Sequence, residues 1–107
     1  MELSPVAELA TRPDWFYKAV NRVVPLMRKH HGVAETILGI GREIDLGNHE
    51  EARRLFDNLD NNQLRLIESN PDFKGEKKSS QVRRMLEDER YPNYLKKIVS
   101  GAIGDEL

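Results

Sequence analysis

The residues best placed to do chemistry in this chain are charged ones that cluster. From Lys74 to Arg84 there are Lys74, Lys77, Lys78, Arg83 and Arg84 against Glu76, a local net of +4. From Arg42 to Asp60 there are Glu43, Asp45, Glu50, Glu51, Asp57 and Asp60 against Arg42, Arg53 and Arg54, a net of -3. Patches of opposite sign on one small domain can meet across copies, head to tail, or take a charged protein partner. The basic segment could also grip a phosphate backbone, although Phe73 is its only interleaved aromatic and no helix-turn-helix pattern follows it. Trp15 is the third candidate. It cannot share one narrow apolar stripe with Phe16, and a tryptophan left on the surface is a common interface anchor.

Other chemistries find little support. The absence of cysteine removes thiol nucleophiles, disulfides and thiolate zinc sites. No serine sits in a Gly-x-Ser-x-Gly elbow. The runs Glu50-Glu51 and Glu87-Asp88-Glu89 fall on helix faces patterned for solvent, not in a cleft that would separate two carboxyl pKa values. No enzyme is expected. Histidines stand at positions 30, 31 and 49. His31 and Glu35 would share a helix face only if the helix ran through Gly32, which reads as a stop, so neither metal nor cofactor is expected. Gly39 and Gly41 beside Arg42 lack the strand and the Gly-Lys-Ser/Thr sequence of a phosphate loop.

The elements that carry these residues are helices. The organising stretch runs from Gly47 to Leu64. Gly47 suits the left-handed position after a helix, and Asn48 with Glu51 matches the reciprocal capping pattern at the next start. Ala52, Leu55, Phe56 and Leu59 then recur with helical spacing. Asp60 with Gln63 repeats the capping pattern, with Leu59 and Leu64 as its hydrophobic staple, which predicts one helix over 49–59 and another over 61–69 with Leu64 and Ile67 inward. Upstream, Asp14 opens a helix whose Phe16, Ala19, Val20, Val23 and Met27 keep the stripe down to His31, with a kink near Pro25 or a split into two short helices. Val33 to Leu46 carries Ala34, Ile37, Leu38, Gly41 and Ile44 on one side, and the two interior glycines point to a closely approaching neighbour at 39 and 41.

Downstream, Asn70 to Ser80 reads as the longest loop, pinned by Phe73. Ser79 or Ser80 caps a helix with Val82, Met85 and Leu86 inward, running to about Arg90. After Tyr91-Pro92-Asn93 the stripe Tyr94, Leu95, Ile98, Val99 and Ala102 is the strongest of the C-terminal half. Residues 1–12, with Leu3, Val6 and Leu9 behind Ser4-Pro5, suit a short helix or a loose terminus. No stretch alternates apolar and polar residues with period two, and no repeat is visible.

The expectation is an all-α protein: a compact bundle of five or six short helices forming a single domain over 1–107, its first long helix kinked near Pro25. At 107 residues a core can form without a staple. A net charge of -1 gives no global field to concentrate nucleic acid or membrane. No apolar leader or run approaching the roughly 20 residues of a membrane span occurs, so a cytoplasmic location is expected. The stretch from Ile37-Leu38-Gly39 through Gly47 to Phe56 resembles one tetratricopeptide hairpin, one residue longer than that pattern and without a second copy. The helix count is similar to that of death-fold domains. The functional expectation is a non-enzymatic module for protein–protein interaction or regulation, an adaptor that could self-associate, using Trp15, Lys74, Lys77, Lys78, Arg83 and Arg84. The alternative is a small nucleic-acid-binding regulator using the 74–84 segment.

Overall fold

The computed structural model describes residues 13–70 and 79–104. Among them every regular element is a helix: α1 (Asp14–Met27), α2 (His31–Asp45), α3 (His49–Leu59), a π-helical turn (Asp60–Leu64), α4 (Arg65–Ser69), α5 (Ser79–Glu87) and α6 (Asn93–Ile103). The protein is a small all-α bundle. The expected features within 1–12, the loop body at 71–78 with Phe73, and Lys74, Lys77 and Lys78 lie outside the described residues.

Helix α2 is the hub, packing against α1, α3, α5 and α6. Its composition explains the role. Val33, Ala34, Ile37, Leu38, Ile40 and Ile44 are all buried, so the apolar surface wraps more than one side of the helix and several neighbours can share it. The other helices each contribute one stripe: Phe16, Val23 and Met27 from α1, Ala52, Phe56 and Leu59 from α3, Val82 from α5, and Leu95, Val99 and Ala102 from α6. Leu55, Met85, Leu86 and Ile98 pack half-buried at the edge of the same core. No helix among the described residues is long and apolar enough to cross a membrane.

Four boundaries differ from the sequence expectation. Helix α1 ends at Met27, not His31: it runs through Pro25, and the N–H groups of Lys29 and His30 then both fold back to the Leu26 carbonyl. His31 and Gly32 therefore open α2 instead of closing α1. The His30 ring lies over Gly32, in the space a Cβ there would occupy, so this glycine accommodates a neighbouring side chain at a helix start.

At the α2–α3 corner Gly47 has φ +83, Asn48 N–H donates to the Glu43 carbonyl at 2.8 Å and Gly47 N–H to the Ile44 carbonyl at 3.0 Å. That is the Schellman pair of bonds. The expected capping box does not form beside it. The Asn48 amide donates to the Glu43 carboxylate at 2.9 Å, and Glu51 is taken by Arg54.

The second expected capping box is also absent. Asp60 has φ -61 and ψ -46, so the chain stays helical from His49 to Ser69 and passes through a π turn. The reason lies in spacing. Leu59 and Leu64 are five residues apart, which an α-helix would turn by about 140° from one another. The π turn, with its i→i+5 pattern, takes up one extra residue and brings both to the core; Leu59 and Leu64 are buried. Finally, α5 stops at Glu87. Asp88 then accepts hydrogen bonds from the Arg90 backbone N–H at 2.9 Å and from its guanidinium, an Asx turn that redirects the chain toward α6.

The glycine expectation divides. A Cβ on Gly41 would press into Leu95 Cδ2 of α6, with Phe16 Cζ at 3.6 Å, whereas one on Gly39 would meet nothing within 4 Å. Close approach therefore explains Gly41 and leaves Gly39 without a packing reason. The far end of α6 is tied as well: Arg28 Nε donates to the Ala102 carbonyl at 2.8 Å, supplying a charged donor to one of the carbonyls a helix C-terminus leaves open.

Candidate surface for a partner

Trp15 lies in the first turn of α1, beside the fully buried Phe16. The indole is half-buried and set against the α3 residue Phe56, ring centroids 5.9 Å apart at 35°. Phe16 meets Trp15 edge-on at 6.2 Å. Arg53, one turn before Phe56 on α3, lays its guanidinium over the Trp15 ring at 5.0 Å and over Phe56 at 5.8 Å. Its Nε is 3.2 Å from Asp57 Oδ1. The aromatic face is thus held from below by the core and from above by a cation that is itself fixed by a carboxylate, and an arginine–indole stack of this kind contributes about 0.5–1 kcal/mol at an exposed site. Trp15 was legible as a residue off the main stripe. Arg53 and Phe56 were not legible as its partners, since the contact joins positions some forty residues apart and only folding brings them together.

The acidic segment is less bare than its sequence suggests. Arg42 pairs with Glu43 at 3.6 Å, Arg53 with Asp57, Arg54 with Glu51, and Arg22 of α1 reaches Asp60 at 2.6 Å. Glu43, Glu51, Asp57 and Asp60 are thereby ion-paired within the chain. Hydrogen bonds from Arg54 hold the Glu51 carboxyl below the usual range. The same Arg22 guanidinium extends to Glu68 at 2.8 Å, so one side chain of α1 grips carboxylates on both sides of the π turn. Of the basic segment, Arg83 and Arg84 are described, both on the exposed side of α5, opposite buried Val82.

Two shallow, solvent-open depressions mark the outer side of the α2–α3 corner and α3, the first lined by Gly47, Asn48, His49, Glu50, Glu51 and Arg54. Their walls are solvated helix-face side chains. His31 and Glu35 do lie one turn apart on α2, because Gly32 does not end a helix. Among the described residues, however, no three His, Cys, Asp or Glu residues gather where a metal ion could be held. Comparison with protein-family models, with curated proteins and with solved structures gives no match.

Proposed function

We propose that this bundle is a non-enzymatic interaction module that engages another protein through the Trp15–Arg53–Phe56 face, with the basic 74–84 segment as a second, electrostatic contact. The observation that carries this reading is the half-buried indole packed against Phe56, with the Arg53 guanidinium over both rings. A rigid aromatic edge loses little conformational freedom on binding, and tryptophan and arginine are the residue types in which binding energy concentrates. The exposed Arg83 and Arg84, adjoining three lysines in sequence, support a contribution from charge to partner choice and approach rate. They also favour the second reading, a regulator that binds nucleic acid through the same segment.

The test is direct. Proteins captured from the source cell on the immobilised chain are compared with those captured by Trp15→Ala and by a variant with Lys77, Lys78, Arg83 and Arg84 reversed to Glu. Loss of an anchor of at least 2 kcal/mol weakens affinity about thirty-fold, so Trp15→Ala should release the specific partner while circular dichroism stays native. A gel shift over a salt series addresses the second reading, because phosphate binding falls steeply as salt rises. Retention of every partner by Trp15→Ala, with its fold intact, refutes the primary reading.

A further inference from the structure

The segment after Leu59 has two apolar registers written into it, and only one is used. With the π turn in place, Leu64 and Ile67 are buried and Leu66 stands 55% exposed, one of two large apolar side chains so exposed among the described residues. Without the turn, a regular helix of about 100° per residue would bring Leu66, seven residues after Leu59, back to within about 20° of the Leu59 direction, with Gln63 in the place of Leu64. The exposed leucine is thus the residue that the unbulged helix would bury. Arg22 distinguishes the two arrangements. Its Nη1 holds Asp60 at the start of the turn and its Nη2 holds Glu68 beyond it, at 2.6 and 2.8 Å. Taking out the turn rotates Glu68 by about 100° relative to Asp60, so a single guanidinium no longer spans both.

We infer that residues 60–69 form a register switch, with Arg22 as the latch that selects the observed setting. In the other setting the π turn slides toward the end of α4, Leu66 turns inward and Leu64 turns out. The Arg22 side chain is 40% exposed and its two partners 26% and 44%, so the latch is accessible to an anion that competes for the guanidinium, and it weakens with salt. Gln63 is what keeps the second setting minor, since sliding would carry its amide into the core without a partner.

The absence of cysteine gives a clean readout. Leu64→Cys and Leu66→Cys are made separately in the otherwise unchanged full chain and their alkylation rates measured. Position 64 should be slow and position 66 fast. In the background Arg22→Gln with Gln63→Leu, which removes the latch and the buried amide together, the order should invert, each rate changing at least ten-fold in opposite directions while helical circular dichroism persists. Acceleration at both positions would mean fraying and would overturn the inference. So would unchanged rates. Should the double background fail to fold, deletion of Asn62 serves as the independent arm. It removes the extra residue and must leave position 64 slow and position 66 fast with no π turn; exchange of the two rates there would overturn the two-register reading.

Discussion

Gly39 and Gly41 offer a controlled comparison, because the same substitution two residues apart in one helix should act in opposite directions. Both lie inside α2, where replacing glycine by alanine gains about 1 kcal/mol of helix propensity. At Gly39 the new methyl meets nothing within 4 Å, so the full gain is expected, with a rise in Tm of about 4 °C for a chain of this size. At Gly41 the methyl falls well inside van der Waals contact of Leu95 Cδ2, and Leu95 is fully buried, so its side chain cannot swing into solvent. Forcing a methyl into such a site costs about 1–3 kcal/mol, which exceeds the propensity gain and leaves Gly41→Ala less stable by about 1 kcal/mol. The two variants should therefore differ by about 2 kcal/mol in urea unfolding followed by far-ultraviolet circular dichroism. A second arm identifies the cause. Leu95→Ala alone costs about 2–5 kcal/mol, but combined with Gly41→Ala it leaves room for the new methyl, so the pair should be more stable than the sum of the singles by about 1 kcal/mol or more. Equal stability of Gly39→Ala and Gly41→Ala, or strict additivity in the cycle, would refute the account of how α2 and α6 meet.

Three further outcomes are expected. Arg90 donates to Asp88 through its guanidinium and backbone N–H, holding that carboxyl down to about 2, against roughly 3.9 in an unfolded chain. A lowered folded-state value contributes stability that is present above the unfolded value and lost as pH falls from about 4 through about 2, so Asp88→Asn should flatten the pH dependence of unfolding in that window; an unchanged slope speaks against the Asx turn. At the α2–α3 corner, Asn48→Ala should cost only a few tenths of a kcal/mol, since its amide makes an exposed bond to Glu43 and not the helix cap worth about 1 kcal/mol, whereas Gly47→Ala at φ +83 should cost about 1 kcal/mol in the same unfolding assay. Arg28→Ala should lose about 1 kcal/mol with the bond to the Ala102 carbonyl, read by unfolding and by faster amide exchange in the last turn of α6.

The core was legible because each helix declares its buried side by spacing alone. Phe16, Val23 and Met27, or Leu95, Val99 and Ala102, need no tertiary knowledge to be grouped. Boundaries were harder. The Asp60–Gln63 pair has the composition of a helix start, yet the Asp60 carboxylate serves Arg22 and the backbone never leaves the helical region. The five-residue step from Leu59 to Leu64 was the available sign of a π turn, and it is indistinguishable from a break when only residue types are weighed. Gly32 reads as a stop by type and acts as space for the His30 ring. The surface around Trp15 was half legible: the indole's exclusion from the stripe follows from spacing, but the Arg53 and Phe56 contacts depend on how α1 lies beside α3.

The bond from Arg28 to Ala102 and the seat of Leu95 on Gly41 join the first half of the chain to α6. During synthesis α1, α2 and α3 can associate as soon as they leave the ribosome, since they are neighbours in sequence. The seam on α2 beside Gly41 must then wait, greasy and open, until α6 has been made. For that interval the nascent protein presents a sticky groove that a chaperone could shield, and a message truncated ahead of Leu95 would yield a product that never closes it.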